Sequence, residues 1–345
     1  MRAFVVARGG DAGVGEWVDP APVPGEVIVA PLRVGLCGTD LELIDATIDP
    51  AYVRYPLVLG HEWVGRLEED VAEVAPIGSL VVVEGLIPDG RCAACRRGET
   101  NLCAVYDEIG FTRPGALADR VRVPAHLVHR LADGVDLDDA VLVEPMAVVW
   151  RALSRLPLRK GLRVAVLGDG TIALLAAHLV QLFAPTRTTV VGRRAEQAGL
   201  ALRAGADAFT IDAPTETFDL VIEAAGNAAA VASALEHCAR GGMVILLGLP
   251  PHGTKVSFAP DDLVNNDQIV QGSFSYTRRA FAEVVARVNE GLLRPSFLIT
   301  HRFTFDAADS AVAALRGGTT SEPRGKVVVD LAANSGDHPR RRESL

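Results

Sequence analysis

The sequence predicts an α/β chain in which a mostly antiparallel β region precedes a doubly wound parallel sheet. Up to about residue 145, short strand-like runs are interrupted by Gly and Pro, which is typical of antiparallel β structure. From Arg163 onwards, short apolar runs alternate with alanine-rich segments of helical character. Strands that alternate with helices indicate a parallel sheet with helices packed on its faces. The length of 345 residues agrees with about two domains.

The strands of the first region are predicted from their apolar runs. Residues 2–6 are expected to form the opening strand, because this amino terminus lacks the apolar core and cleavage site of a secretory signal. Further strands are predicted at 26–34, 63–68, 79–84 and 117–123.

In the second region, strands are expected at 163–167, 188–191, 218–223, 243–247 and 269–272, with a final strand at 326–330. Helices are predicted from about Thr171 and over 195–204. Residues 333–345 end in three arginines and are expected to form a disordered tail.

Composition and charge exclude several classes of function. The chain has 34 Lys and Arg against 43 Asp and Glu, a formal charge of −9 without a basic stripe, which argues against nucleic acid as a partner. A long apolar stretch at 171–184 is too short to span a bilayer and contains His178 and Gln181. No membrane partner is therefore expected.

The cysteines indicate metal binding in a reducing compartment. The chain has 5 cysteines, and three of them, Cys92, Cys95 and Cys103, are crowded into one short segment. Without an export signal, such a cluster favours metal binding over disulfides. A cytoplasmic location is therefore expected.

A glycine turn, Gly168-Asp169-Gly170, predicts a dinucleotide site. It directly follows a predicted strand and precedes a predicted helix, whose first N–H groups can bind a pyrophosphate. Ala173 takes the third small position of the fingerprint. The alternative is an ordinary strand-to-helix turn in a sheet that binds no nucleotide.

The end of the next strand indicates which nucleotide is bound. Enzymes that use NAD usually carry Asp or Glu there for the ribose 2′-hydroxyl, whereas this chain has Gly192 followed by Arg193 and Arg194. A missing carboxylate and two guanidinium groups suit a 2′-phosphate. The sequence therefore predicts NADP(H), unless both arginines are simply solvated at a helix start.

A second set of residues has the chemistry of a catalytic zinc site. Cys37, His61, Glu62 and Glu144 offer a thiolate, an imidazole and carboxylates, and three protein ligands with an open position are typical of catalytic zinc. Each residue alone also has a structural explanation, such as a buried cysteine or a hydrogen-bonded histidine. Their joint occurrence favours the metal.

The crowded cysteines predict a structural zinc. Cys92, Cys95 and Cys103 supply three thiolates, and Asp89 is the candidate for the fourth ligand. The alternative is a lobe that has lost its metal and retains three free thiols.

Together these motifs resemble the zinc-dependent medium-chain dehydrogenase/reductase family, which includes alcohol, sorbitol, threonine and glucose dehydrogenases. The resemblance extends to about Asp330, and its motifs are residues 37–40, 60–62, the cysteine lobe, 143–145 and the glycine turn. It implies a GroES-like, mostly β catalytic domain and a Rossmann domain. It also implies that Cys37, His61 and a glutamate, Glu62 or Glu144, bind catalytic zinc.

The resemblance further implies domain bounds and site roles. A catalytic domain at 1–146, a nucleotide-binding domain at 147–293 and a return to the first domain at 294–332 are expected. Thr39 is expected to relay the hydroxyl proton, and Asp40 to support the zinc ligands. The nucleotide contacts are expected at Gly168, Gly170, Thr171, Ile172, Gly192, Arg193, Arg194, Gly226 and Gly248.

Two departures from the family pattern bear on function. Asp89 replaces the first of four lobe cysteines, which weakens the case for zinc there. Glu42 stands where many alcohol dehydrogenases carry a histidine, and the run 37–43 is closer to the glucose and polyol branch. The sequence therefore predicts a sugar, polyol or cyclitol-like substrate.

The function predicted is a zinc-dependent oxidoreductase that interconverts a secondary alcohol and a ketone with NADP(H). One alternative is a zinc-free reductase of the same superfamily acting on activated double bonds. Another is a non-catalytic zinc-bearing binding protein. The expected partner is a small-molecule substrate, and the family implies a homo-oligomer, either a dimer or a tetramer.

Overall fold

The computed structural model describes residues 1–8, 10–317 and 322–331. The tail predicted at 333–345 lies outside these residues.

The first region consists of short strands and few helices. Its strands are β1 (Arg2–Val6), β2 (Ala12–Glu16), β3 (Glu26–Leu36), β4 (Leu57–Val58), β5 (Glu62–Leu67), β6 (Leu80–Val83), β7 (Leu86–Ile87), β8 (Asp107–Glu108), β9 (Val121–Pro124) and β10 (Val128–Arg130). Its helices are α1 (Gly38–Ile44), α2 (Ala93–Arg96), α3 (Leu137–Ala140) and α4 (Val143–Ser154).

The second region alternates strands and helices. Its strands are β11 (Arg163–Leu167), β12 (Arg187–Val191), β13 (Ala208–Thr210), β14 (Phe218–Glu223), β15 (Cys238–Leu246) and β16 (Ile269–Gly272). Its helices are α5 (Thr171–Leu179), α6 (Ala198–Arg203), α7 (Ala228–Glu236), α8 (Pro260–Asn265) and α9 (Arg278–Asn289). The described chain then adds β17 (Ile299–Thr304), α10 (Ala308–Arg316) and β18 (Lys326–Asp330).

The parallel sheet has the order β13-β12-β11-β14-β15-β16, and every one of its pairings is parallel. The order steps outwards from β11 on both sides, so the carboxyl ends of β11 and β14 meet at the centre of one edge. An open sheet of this kind binds ligands in the crevice outside those ends. The predicted Rossmann sheet is confirmed.

The other main sheet is the seven-stranded β10-β6-β5-β3-β18-β17, with β9 also paired to β3. All pairings are antiparallel except that of β17 with β18. The last strands therefore pair with β3 in the first region, as a return of the chain implies. Smaller sheets are β2-β1-β4 and β7-β8.

Most predicted strands agree with the structure within two residues, but two do not. Residues 117–120 lie outside β9, although Leu117 exchanges backbone hydrogen bonds with Leu59 and Phe4. β15 begins at Cys238 and not at the predicted residue 243. The prediction missed its first residues because they lack an apolar pattern. The predicted bound at 146/147 falls inside α4, which begins at Val143 and tolerates Pro145 in its first turn.

Two large apolar cores support these sheets. One packs α4, α5 and α9 against the parallel sheet and includes Val164, Leu174 and Phe281. The other fills the antiparallel region, where Phe4, Val34 and Leu117 are almost fully buried. Cys37, His61 and Glu62 lie on strands and turns next to this second core, whereas Glu144 lies on α4.

Candidate functional site

Cys37 lies between the end of β3 and the start of α1, and local hydrogen bonds fix its position. Its Sγ accepts from the backbone N of Thr39 at 3.3 Å, and its own backbone N donates to Asp40 Oδ2 at 2.8 Å. This reciprocal arrangement is a capping box with cysteine in place of serine. The thiol is thus held at the edge of a rigid sheet.

His61 is brought against Cys37 by a turn that requires glycine at position 60. Gly60 has φ +104°, and a Cβ there would lie 2.6 Å from the backbone N of Leu117. His61 Nε2 is then 3.1 Å from Cys37 Sγ, and its Nδ1 is 3.4 Å from Asp40 Oδ1. Burial opposes protonation, but the charges of Cys37 and Asp40 outweigh it and raise the pKa of His61 well above its usual value.

Glu62, the next residue, forms a buried ion pair with Lys326 at the start of β18. Both side chains are almost completely buried, with 3% and 1% exposure. Gly35 makes the space for this pair, since a Cβ there would lie 2.7 Å from Glu62 Oε2 and 2.8 Å from Lys326 Cε. Burial lowers the pKa of Lys326, but the negative charges of Glu62 and Cys37 outweigh it and raise that pKa.

Cys37, His61 and Glu62 each offer a ligand atom, and these atoms all lie within 4.8 Å of one another. This set does not include Glu144, the other predicted carboxylate, which is half-buried in the first turn of α4. Burial, followed by the charge of Glu62, raises the pKa of Glu144 to about 8. Glu144 is thus near the cluster, but outside its closest group of atoms.

The donor set fits a zinc ion. A thiolate, an imidazole and a carboxylate are ordinary zinc ligands, and the three atoms are close enough to share one ion. Asp40 at His61 Nδ1 supplies the carboxylate that commonly orients a metal-binding imidazole. A further carboxyl, that of Glu108, lies near the site. Burial raises the pKa of Glu108 to about 7, and the charge of His61 lowers it only in part.

Other residues around this cluster differ in exposure. Thr39 is half-buried on the first turn of α1, next to Cys37. Trp63 and Tyr276 are buried, and the hydroxyl of Tyr276 accepts from the backbone N of Gly85 at 2.8 Å. Glu42, on which the polyol prediction depends, is exposed at the far end of α1.

The structure also brings the four predicted lobe residues together. Ligand atoms of Asp89, Cys92, Cys95 and Cys103 all lie within 4.8 Å of one another. Asp89 Oδ1 accepts from the backbone N of Arg91 and of Cys92, both at 3.0 Å. These bonds to Cys92 and Arg91 lower the pKa of Asp89, so its carboxylate is ionised and available to a cation.

The glycine turn lies at the carboxyl edge of the parallel sheet. Gly168 has φ +127°, and a Cβ there would lie 3.0 Å from the backbone of Ala224. Gly170 forms the N-cap of α5, and Thr171 Oγ1 donates to the carbonyl of Gly325 at 3.1 Å. Ile172, the next residue, packs partly against the core.

Gly226 and Gly248 lie on the neighbouring loops of the same edge. A Cβ on Gly248 would lie 2.2 Å from the backbone N of Gly226, so the two loops touch through their backbones. Because both residues are glycines, no side chain at these positions covers the edge of the sheet, and an extended ligand can lie along it.

Gly192, in the second half of the nucleotide site, has no room for a side chain. A Cβ at this position would lie 2.7 Å from the ring of Phe209 and 2.8 Å from Asp169 Cβ. Asp169 also holds Arg194, whose Nη2 is 2.8 Å from Asp169 Oδ1. Arg193 is exposed.

Asp169, Gln197 and Lys326 are site residues that sequence reasoning missed. Lys326 could have been found as a cation that opens the apolar run 326–329, and Asp169 as an acid between two fingerprint glycines. Gln197 gives no comparable signal in the sequence, although it is fully buried and bonds to the turn.

Comparison with known proteins agrees with this architecture. Residues 23–133 match the family model described as the alcohol dehydrogenase GroES-like domain, and residues 137–329 match the one described as the glucose dehydrogenase C-terminus. The chain is 31% identical to an L-threonine 3-dehydrogenase of Streptomyces coelicolor, over 96% of this chain and 100% of that protein. It is 28% identical to L-galactonate-5-dehydrogenase of Escherichia coli, over 82% and 86%.

Solved structures resemble the chain over nearly its whole length. A zinc-binding dehydrogenase from Sinorhizobium meliloti 1021 bound to NADP superposes with a TM-score of 0.88 at 28% identity, covering 96% of this chain and 99% of that one. Galactitol-1-phosphate dehydrogenase from Escherichia coli superposes with a TM-score of 0.83 at 26% identity, covering 96% and 100%. Within the described residues, no helix is both long and apolar enough to cross a bilayer.

Proposed function

The chain belongs to the zinc-dependent alcohol and polyol dehydrogenases of the medium-chain dehydrogenase/reductase family, and on that premise we propose that it interconverts a sugar, polyol or cyclitol-like secondary alcohol and its ketone, with NADP(H) preferred over NAD(H). The observation that carries this proposal is the compact group formed by Cys37, His61 and Glu62. The alcohol and polyol dehydrogenases to which the chain is similar interconvert alcohols and carbonyl compounds.

Cys37 and His61, together with Glu62 or Glu144, would hold the catalytic zinc. Bound there, zinc supplies a Lewis acid that lowers the pKa of the substrate hydroxyl, while the nicotinamide exchanges a hydride with the carbon. Asp40 keeps His61 in the orientation that presents Nε2 to the site. Cys37 is kept in place by its bonds to residues 39 and 40.

Thr39 is the proposed proton relay. Thr39 is a half-buried residue two positions after Cys37, and its Oγ1 would accept the substrate proton and pass one on toward solvent. His61 is buried, which limits the access of water to its side of the site.

The nucleotide site is proposed at the turn 168–170 and the amino terminus of α5. The turn leaves the first N–H groups of α5 facing the crevice, where a pyrophosphate can accept them. Arg193 is exposed beside this turn. Position 192, directly after β12, is glycine, so this position places no carboxylate next to Arg193. These features support a 2′-phosphate partner, as does the NADP bound to the Sinorhizobium structure.

The lobe is proposed to hold a second, structural zinc through Asp89, Cys92, Cys95 and Cys103. The support is the mutual approach of the carboxylate and the three sulfur atoms. The ionised carboxylate of Asp89 supplies the fourth ligand in place of a thiolate.

A β-hydroxy amino acid is the second candidate substrate. The L-threonine 3-dehydrogenases are relatives at 31% identity, and a β-hydroxy amino acid is also a secondary alcohol. The carboxyls of Glu108 and Glu144 near His61 can accept hydrogen bonds from an ammonium group as well as from hydroxyls.

A substrate panel tests the proposal. Sugars, polyols, aminocyclitols and L-threonine are offered with NADP+ and with NAD+, and the absorbance of the reduced cofactor is followed. Turnover of a polyhydroxylated secondary alcohol supports the first candidate, and turnover of L-threonine alone supports the second. Efficient oxidation of ethanol without polyol activity contradicts the polyol proposal.

We also propose a homo-oligomer, dimer or tetramer, in the cytoplasm. The outer strand β16 of the parallel sheet exposes Ile269 and Val270 at 45% and 39%. An exposed apolar edge strand is a liability unless another chain covers it. Size-exclusion chromatography with light scattering gives the assembly.

A further inference from the structure

The nucleotide turn and the metal cluster are joined by a short buried segment of the returning chain. Lys326, the ion-pair partner of Glu62, directly follows Arg324 and Gly325. Both of these residues are hydrogen-bonded to side chains beside the glycine turn.

Gln197 makes the larger part of this connection. It is fully buried, and its Nε2 donates to the carbonyl of Asp169 at 2.6 Å and to the carbonyl of Arg324 at 2.9 Å. Its Oε1 accepts from the backbone N of Arg324 at 2.8 Å. One amide therefore ties the glycine turn to both backbone groups of a single residue.

Gly325, the next residue, continues the connection, because both of its backbone groups are also hydrogen-bonded. Thr171 Oγ1 donates to the Gly325 carbonyl at 3.1 Å, and Thr300 Oγ1 accepts from the Gly325 N at 3.0 Å. A Cβ on Gly325 would lie 2.1 Å from the carbonyl of Leu298, so the backbone is packed too closely for any side chain. This close packing of Gly325 favours the transfer of a displacement from Arg324 to Lys326.

At the other end of the segment 324–326, Lys326 is the ion-pair partner of Glu62, so its position affects how Glu62 can act as a metal ligand. Glu62 is in the ligand group with Cys37 and His61, and its buried carboxylate is matched by the buried ammonium of Lys326. Packed interiors transmit small displacements because they have few voids. The strength of the Glu62 carboxylate as a ligand therefore depends on where the segment 324–326 is held.

We propose that Gln197 is a positioning residue that couples occupancy of the nucleotide turn to the hold of the metal site on its zinc, through Arg324, Gly325 and Lys326. This inference rests on the proposed function. A nucleotide bound at the turn would hold residues 324–326 in place and would thereby slow the opening of the ligand group of Cys37, His61 and Glu62. Coupling of this kind is reciprocal between the two sites.

The experiment measures zinc release from the zinc-loaded protein into a chromogenic chelator. The nucleotide probe is 2′-phospho-ADP-ribose and, in parallel, ADP-ribose, because neither carries the nicotinamide that would cover the metal directly. The phase that His61→Ala lacks is assigned to the site of Cys37 and His61. Release from the cysteine lobe serves as an internal control that the probe does not change.

In the wild type, the bound probe is expected to slow this phase by about 5-fold or more, the lower end of typical coupling between two sites. Gln197→Met, which retains the length but not the amide, is expected to show nearly equal rates with and without the probe. The matched control is Gln181→Met, since Gln181 is another partly buried glutamine of the parallel-sheet region that bonds to Ala177 and Thr188 but not to the returning segment. It should retain the wild-type slowing.

Each other outcome contradicts the inference. A merely structural role of Gln197 would lower the melting temperature and leave the effect of the probe intact. A wild type with no slowing, or with acceleration, also overturns the coupling. If Gln197→Met does not fold by circular dichroism, Thr300→Val removes the hydroxyl that accepts from the Gly325 N and lies outside the nucleotide contacts, and unchanged slowing in that variant overturns the proposal.

The outcome also separates this inference from the proposed function. A chain that holds no zinc at Cys37 and His61, or binds neither probe, contradicts the proposed function and the coupling together. Zinc and probe that both bind, but independently, contradict the coupling alone.

Discussion

Asp169 and Arg194 form an ion pair across the nucleotide turn, with Arg194 Nη2 2.8 Å and Nε 3.2 Å from Asp169 Oδ1. The other carboxylate oxygen accepts from the backbone N of Arg193 at 2.8 Å and of Arg194 at 3.0 Å. Burial opposes ionisation of Asp169, but the bonds from Arg194 and the backbone outweigh it and lower the pKa. The charge of Arg194 is thus matched within the protein, and the exposed Arg193 is the arginine that we propose for the 2′-phosphate.

Arg193→Ala is therefore expected to reduce the preference for NADP+. A hydrogen bond to a charged group contributes about 1.5–3 kcal/mol, so kcat/KM with NADP+ should fall by about 10- to 150-fold. The loss should appear mostly in KM, because the phosphate is remote from the hydride, and NAD+ should change little.

The control for this prediction is Arg240→Ala, an exposed arginine near the amino-terminal end of β15, away from the crevice. Steady-state kinetics with both cofactors decide the matter. A native enzyme that prefers NAD+, or has no preference, would show that Arg193 points into solvent. Gly192→Asp is not a clean test, because Phe209 and Asp169 occupy its side-chain space.

Cys37→Ser and His61→Ala are each expected to abolish turnover and leave the cofactor bound, because the nucleotide site is built on the other sheet. The measurements are steady-state activity and the fluorescence change on adding NADPH. Cys238→Ser, which alters a buried cysteine of β15 outside both ligand groups, is the matched control. Full activity of chelator-treated, metal-free protein would refute the zinc mechanism.

Glu62→Gln is expected to lower the free energy of unfolding by about 3–5 kcal/mol, because it leaves the buried Lys326 without its counter-charge. The double variant Glu62→Gln with Lys326→Met should recover most of this loss. Glu68→Gln breaks the exposed pair with Arg120, 2.8 Å long, and should cost no more than about 1 kcal/mol. Urea denaturation of the four proteins measures these values, and equal losses in both single variants would contradict the prediction.

Zinc content after dialysis separates the two candidate carboxylates. We expect Glu62→Gln to lose more of the catalytic zinc than Glu144→Gln, since only Glu62 lies in the close ligand group. Metal analysis of both variants checks this. Greater loss from Glu144→Gln would identify Glu144 as the resident ligand instead.

The lobe zinc is expected to be lost more readily than the catalytic zinc, because carboxylate is a harder ligand than thiolate and matches zinc less well. Metal analysis should give up to two zinc ions per chain at first, and Asp89→Cys should raise the melting temperature. One firmly bound zinc, with Cys92, Cys95 and Cys103 freely alkylated in the native protein, would show that the lobe holds no metal.

How much the sequence could predict differs between the two sites. The order of Cys37, His61 and Glu62 before the glycine turn indicated the candidate ligand types and predicted the fold, because ligand chemistry and strand or helix periodicity are local properties. Gly60 and Gly168 also adopt the positive φ angles that their turns require. Glu42, on which the polyol prediction depends, has an exposed side chain on α1, and the sequence pattern does not specify what that side chain contacts.

The sequence by itself thus determined the classes of group present: the candidate metal ligands, the glycine turn and the alternation that builds the parallel sheet. Only the tertiary structure decided the partners of those groups. Lys326 meets Glu62 because β18 pairs with β3, and β3 with β5, in a register that places Gly35 beside Glu62. Asp169 reaches Arg194 because β11 and β12 are adjacent and parallel. Such pairs join residues distant in the chain, and no local periodicity specifies them.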